Sequence, residues 1–238
     1  MKYDEFKSVL VEEMEKIKVI LNEDQCMEFY NFMQLLLEWN EKVNLTAITD
    51  SRGIILKHFV DSVTIGHLLD GKYDIIDVGT GAGFPGIPLA IYNKNLEITL
   101  LDSLNKRINF LEEVKRNIKL DNIINVHGRA EDLGRDKFYR EQFDVAVSRA
   151  VAPLNILLEY LLPFVKVGGI CICMKGPNAN EEIDNSKNAL NRLNGKIEYV
   201  KNITIDGVMD RNIIVVKKTG KIPEIYPRKA GTPSKKPL

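Results

Sequence analysis

Apolar residues at Phe6, Leu10, Met14, Ile17 and Leu21 recur every three or four positions, the spacing that lays one stripe along an α-helix. A second stripe, Phe29, Phe32, Met33 and Leu36, follows Asn22 and Gln25. Their spacing fits a capping box, so a second helix is predicted from there to about Asn40. Further helix is expected around Ile54 to Leu69. From Tyr73 the period changes. Short apolar runs predict strands at 73–78, 97–101, 123–127, 143–147 and 168–174, with helices at 86–93, 104–119 and 154–165 between them. A helix near 181–194 and strands near 196–203 and 211–217 follow. Strands that are apolar nearly throughout suit a mostly parallel α/β sheet covered on both sides, and the last pair suits an antiparallel edge. The pattern divides the chain into an N-terminal helical extension over 1–70, a seven-stranded core over 71–218 and a tail over 219–238.

Composition adds little except where it is uneven. The 238 residues carry 33 basic and 33 acidic side chains, so net charge does not advertise nucleic-acid binding. Residues 1–38, however, hold four lysines against nine acidic residues, and 217–238 hold seven Lys/Arg against one Glu. Electrostatic contact is therefore expected at the C-terminus. The tail, with Pro223, Pro227, Pro233 and Pro237, has no helical or strand period and reads either as a solvated segment or as one that orders against RNA. Cys26, Cys171 and Cys173 show neither metal spacing nor a disulfide framework and read as core. With no signal-like segment and no apolar stretch long enough for a bilayer, a soluble cytoplasmic protein is expected, with no membrane association and no obligate protein partner.

The candidate chemistry begins at Asp77-Val78-Gly79-Thr80-Gly81-Ala82-Gly83-Phe84-Pro85-Gly86, where a strand stops at an acidic residue and alternate glycines. Such a turn lets a nucleotide-like ligand lie against the main chain. Dinucleotides and S-adenosylmethionine compete for it; Gly81, Gly83 and Gly86 even fall on the dinucleotide spacing. Asp77 suits the polar end of a ligand, and Asp102, ending the second strand, suits ribose hydroxyls; a turn carboxylate and a helix cap are the plainer readings. Ala130 and Glu131 follow the third strand, in a loop suited to enclosing an adenine, and a turn with a solvated Glu fits the same residues. Arg149, ending the fourth, suits a carboxylate, an RNA phosphate or the bracing of the pocket.

Several words of this sequence together resemble the bacterial glucose-inhibited division protein B family, the small-subunit ribosomal RNA guanine-N7 methyltransferases. They are Asn44-Leu45-Thr46, Lys57-His58-Phe59-Val60-Asp61-Ser62, the run Asp77 to Ile91, Leu101-Asp102-Ser103-Leu104-Asn105-Lys106-Arg107, His127-Gly128-Arg129-Ala130-Glu131 and Ser148-Arg149-Ala150. The resemblance implies a Rossmann-like class I methyltransferase fold and transfer of a methyl group from S-adenosylmethionine to N7 of a guanine in the decoding region of 16S ribosomal RNA. The RNA is expected within a small-subunit assembly particle. By the same resemblance Gly79, Phe84, Ala130, Glu131 and Arg149 contact the cofactor, with Asp102, Asp77 and Gly81 beside them. Lys57, His58, Arg107 and Lys229 are the substrate-side candidates, although Lys57 and Arg107 equally fit solvated or paired side chains and His58 also fits a histidine bonded to Asp61 three residues on.

No catalytic side chain is assigned. Guanine N7 carries an in-plane lone pair and needs alignment rather than deprotonation. The chain has Ser148-Arg149-Ala150-Val151-Ala152-Pro153 where amino-group methyltransferases carry a Pro-Pro-aromatic motif, and no Pro-Cys nucleophile. Three other readings remain at this level: methylation of another RNA base or a small molecule, an NAD-dependent oxidoreductase, and a noncatalytic ribosome-assembly module.

Overall fold

The computed structural model describes every residue except Val208. Helix α1 spans Tyr3–Lys16, ending short of the predicted Leu21. Lys18 turns to φ 63°, and the Val19 N–H reaches back 2.9 Å to the Met14 carbonyl, closing the helix and folding Val19 under it. Helix α2, Glu23–Val43, starts on the capping box: Asn22 and Gln25 exchange side-chain-to-backbone bonds of 2.9 Å. The helix predicted around 54–69 is present only in pieces. An α-turn α3 (Ser51–Ile54) runs into a π-turn (Ile55–Val60), then α4 (Asp61–Val63) and a 3₁₀ turn (Gly66–Leu68).

The remaining elements are β1 (Asp74–Val78), α5 (Gly86–Tyr92), β2 (Glu97–Asp102), α6 (Asn105–Ile118), β3 (Ile123–His127), α7 (Ala130–Leu133), β4 (Phe143–Arg149), α8 (Leu154–Leu161), β5 (Val165–Lys175), α9 (Ala179–Asp184), α10 (Lys187–Arg192), β6 (Gly195–Ile205), β7 (Met209–Lys218) and α11 (Thr232–Lys235). The seven strands lie in the order β3-β2-β1-β4-β5-β7-β6. All pairings are parallel except those of β7, which runs against both β5 and β6. This is the predicted sheet with its antiparallel edge.

Alternation along the strands divides the interior into two layers. Ile75, Val145, Val147, Ile172 and Val215 face the layer shared with α1, α2, α5 and α6. Ile76, Ala146, Cys171, Cys173 and Ile214 face the layer built on α8. The N-terminal helices are therefore one cover of the sheet, bound through Phe6, Phe29, Phe32 and Phe59, all fully buried. Among the described residues, no helix is long and apolar enough to cross a membrane.

The tail is not the solvated segment that its composition suits, since it folds on the protein's own surface. Ile222 and Tyr226 are buried, and Arg140 donates to their carbonyls at 2.9 and 2.7 Å. Arg228 grips the fully buried Glu159 with Nε and Nη2 at 2.9 and 2.6 Å, while its own N–H adds a third bond at 2.7 Å. Composition concealed this because the anchors are single side chains spaced among prolines. Arg228→Ala strands the Glu159 carboxylate, and a loss of about 3 kcal/mol is expected in urea unfolding.

Candidate active site

The strand order reverses direction between β1 and β4, and ligands of open α/β sheets bind outside the carboxyl ends of strands at such a point. The glycine loop lies there. Gly79, Gly81 and Gly83 take φ of 71°, 64° and 91°. A Cβ on Gly83 would sit 2.3 Å from Ile87 Cδ1, so this glycine serves close packing onto α5. A Cβ on Gly81 would meet only the Gly79 carbonyl, at 4.0 Å, which leaves that side of the loop open for a ligand.

Asp77 is not a lining residue. It is fully buried, and its Oδ2 accepts from the Thr80 hydroxyl at 2.6 Å and from the Gly86 N–H at 2.8 Å. The turn-carboxylate reading therefore describes its contacts, as a brace for the loop. Its Oδ1 has no hydrogen-bond partner among the described residues. Burial pushes the carboxyl up to about 7, against the opposing pull of Thr80 and Gly86.

Every other residue expected to contact a cofactor lines one cleft of about 690 Å³. Asp102 Oδ2 accepts from the Gly81 N–H at 2.9 Å and from Arg107 Nη1 at 3.0 Å, while Oδ1 accepts from the Leu104 N–H at 2.9 Å. Asp102 thus ties two loops together at the cleft edge. Arg107, expected on the substrate side, is paired to it. Phe84 is only 5 % exposed: His58 stacks on it at 4.3 Å between centroids and Phe32 packs at 5.3 Å, so its ring belongs mainly to the layer beneath. Ala130 and Glu131 open α7. Glu131 Oε1 accepts from the Gly231 N–H at 2.8 Å, and Gly231, Ser234 and Tyr160 complete that wall.

Arg149 is the centre of a second group. It donates to Asp61 Oδ2 at 2.9 Å, the Lys57 carbonyl at 3.0 Å and His58 Nδ1 at 3.1 Å. Arg211 donates to the other oxygen of Asp61 at 3.1 Å. His58 and Asp61 are therefore bridged by Arg149, and the i,i+3 bond expected between them is not made. Burial first, and then Arg149, push the His58 imidazole down to about 3. A second cleft of about 640 Å³ adjoins the first across His58 and Arg149, lined also by Lys57, Asp61, Lys175 and Arg211. Lys229 lines neither cleft and stands exposed on the tail.

Sequence reasoning missed Arg211, Tyr160, Gly231 and Ser234, and it quoted Thr46 only within a resemblance. Arg211 and the tail residues arrive from remote chain positions, and no local pattern marks them. The chemistry open to the clefts is narrow. Cys171 and Cys173 are buried in the α8 layer, and burial pushes the Cys173 thiol up to about 12. Ser148 is buried and donates to the Val78 carbonyl at 2.8 Å. His58 has both ring nitrogens engaged. Among the described residues no group of His, Cys, Asp and Glu is arranged to hold a metal ion. What the site offers is position, hydrogen bonds and fixed charge.

Comparison with known proteins gives a consistent picture. The family described as "GidB: rRNA small subunit methyltransferase G" matches residues 25–214. The ribosomal RNA small subunit methyltransferase G of Alkaliphilus metalliredigens is 48% identical over 237 residues, covering 98% of this chain and 99% of that protein. The protein of the same name from Acetivibrio thermocellus is 50% identical over 234 residues, covering 98% and 96%. In fold, the chain is similar to M. jannaschii TYW2 in complex with AdoMet, with a TM-score of 0.55 at 18% identity over 72% of this chain and 79% of that one. It is also similar to a 16S rRNA (adenine(1408)-N(1))-methyltransferase from Catenulisporales acidiphilia, with a TM-score of 0.53 at 12% identity over 65% and 89%.

The two shifted groups give opposite pH signatures. His58, lowered in the fold, binds a proton more readily unfolded, so its contribution to stability falls as pH drops from about 6.5 towards 3. Asp77, raised in the fold, stabilises most below about pH 4 and loses that contribution as pH rises through about 7. Urea unfolding across this range should show the stability difference between wild type and His58→Gln rising with pH, and that between wild type and Asp77→Asn falling.

Proposed function

The chain belongs to the rRNA small subunit methyltransferase G family, and we propose that its glycine-loop cleft holds the methyl donor while the adjoining cleft admits the target base. The protein transfers a methyl group from S-adenosylmethionine to N7 of a guanine in 16S ribosomal RNA. The observation that supports the assignment of the clefts is their junction at His58 and Arg149, which line both; a base entering one would there face a methyl group held in the other.

The first cleft suits the cofactor. Its volume is in the range of nucleoside-sized sites, and the Gly81 side of the loop leaves backbone exposed to a ligand. Asp102, fixed by three N–H donors, keeps one lone pair, on Oδ1, for a ribose hydroxyl. Ala130 and Glu131 border the adenine end, and Arg149 faces the carboxylate of the methionine end. When bound, S-adenosylmethionine supplies the electrophilic methyl group. The residues then have three tasks: to align N7, to exclude water and to tolerate the positive charge left on the base. The carboxylates beside the second cleft are already paired, Asp61 with Arg149 and Arg211 and Glu182 with Lys175, so neither presents free negative charge to the base. None of this requires a general base, which agrees with a neutral, fully engaged His58.

The decoding region as target, an assembly particle as the presented form of the RNA and the cytoplasm as the place of reaction belong to the same proposal. Their support is the family's substrate and the basic face of the tail, where Lys229, Lys235 and Lys236 are all exposed. Lys57, at the mouth of the second cleft, suits a phosphate next to the target base.

The decisive experiment incubates the protein with small ribosomal subunits lacking the modification and methyl-labelled S-adenosylmethionine, then maps the label. Label at one guanine N7 in the decoding region supports the full reading; another nucleotide reassigns the target. Asp102→Asn should weaken S-adenosylmethionine binding about tenfold by calorimetry, because the amide replaces an acceptor with a donor. Neutralising Lys229, Lys235 and Lys236 together should weaken RNA binding at low salt and flatten its salt dependence, with cofactor affinity unchanged.

A further inference from the structure

One hydroxyl at the cleft is held in a single orientation by a chain of donors. A guanidinium has only donors, so His58 Nδ1, 3.1 Å from Arg149 Nη2, must accept. The neutral imidazole then carries its proton on Nε2, and that proton points at Thr46 Oγ1, 2.8 Å away. The same oxygen accepts the Ile48 N–H at 3.0 Å. Both lone pairs of the Thr46 hydroxyl are thereby occupied. Its own proton has no acceptor among the described residues, and the side chain lines the first cleft beside His58, where the second cleft joins it. Rotation of His58 is blocked by its stacking on Phe84, and the Thr46 backbone is pinned by a 2.8 Å bond from its N–H to Asn40 Oδ1.

We propose that Thr46 reads the target base, donating its hydroxyl proton to guanine O6. This rests on the guanine-N7 reading above and adds a specificity determinant to it. On guanine, O6 lies beside N7 on the same edge and accepts a hydrogen bond; adenine presents an amino donor at that position. With N7 directed at a methyl group at the junction of the clefts, one of the two ways of seating the base turns O6 towards Thr46, which lines the first cleft beside that junction. A fixed donor there favours guanine and opposes adenine, whose amino hydrogens would meet the hydroxyl proton. His58 acts through Thr46 as a positioning residue: with its tautomer set by Arg149, the hydroxyl cannot turn its proton back into the protein.

The test uses small ribosomal subunits reconstituted with either guanosine or 2-aminopurine at the methylated position; 2-aminopurine keeps N7 and lacks O6. Wild type should methylate guanosine about ten- to hundredfold faster than 2-aminopurine. Thr46→Val should slow guanosine to nearly the 2-aminopurine rate, bringing the ratio close to one, while S-adenosylmethionine affinity by calorimetry stays within about twofold. Thr46→Ser should restore the ratio, and His58→Gln should reduce it, whereas a purely structural loss would slow both substrates equally. A Thr46→Val enzyme that keeps the wild-type ratio overturns the proposal. So does one whose main defect is cofactor affinity, since the hydroxyl would then serve the methyl donor. An unchanged ratio in His58→Gln overturns the positioning role of that residue. If wild type places no methyl group on guanosine N7 in these subunits, the reading of the substrate falls and the proposal with it.

Discussion

A single buried carboxylate, Asp61, ties the clefts to the rest of the molecule. It is 1 % exposed and lies between the guanidinium groups of Arg149 and Arg211, one on each oxygen. Asp61 starts α4 in the N-terminal layer, Arg149 ends β4, and Arg211 lies in the antiparallel strand β7. Burying one carboxylate with two cations is favourable only when each charge is hydrogen-bonded, and removing a partner leaves an uncompensated charge. The geometry is therefore all or nothing: the helical cover, the parallel strands and the antiparallel edge must meet in one register. The helical extension is for this reason part of the site. It supplies Thr46, Lys57, His58 and Asp61, while the sheet supplies the glycine loop, Asp102 and Arg149.

The site's chemistry follows from what these charges restrain. Arg149 is committed to Asp61, the Lys57 carbonyl and His58, which leaves it as a fixed positive feature rather than a mobile arm. His58 stays neutral because burial, and then the neighbouring Arg149, penalise its charged form. Methylation of a ring nitrogen asks for such a setting, since the electrophile arrives already activated and the nucleophile already holds its lone pair. Preorganised polar groups then act without the reorganisation that water would impose.

The sheet was legible because strand burial on two faces is written residue by residue: Ile75 and Ile76, or Cys171 and Ile172, alternate between layers as their apolar runs require. The glycine loop was legible for a related reason, as positive φ at Gly79, Gly81 and Gly83 is a local demand met by composition. The stretch after Asp50 was not. Its π-turn from Ile55 to Val60 inserts a residue into the helical repeat, so spacing rules written for 3.6 residues per turn misplace His58 relative to Asp61. Asp77 reads from the sequence both as a ligand contact and as a turn carboxylate, because a sequence does not say which way a strand-end carboxylate turns. Long-range partners such as Glu131 with Gly231, a hundred positions apart, leave no trace in either neighbourhood.

That last pair has a bearing on how the cleft is closed. Residues 228–234 follow every strand of the sheet in the chain, and they complete the wall beside Ala130 and Glu131 of a cleft whose glycine loop, Asp102 and Arg149 come from the sheet. With its tail undocked the cleft would lie open along the side of Ala130 and Glu131, the side that Gly231 closes on Glu131 while Arg228 holds Glu159. Closure of the cleft is in this sense carried by a segment that lies outside the sheet.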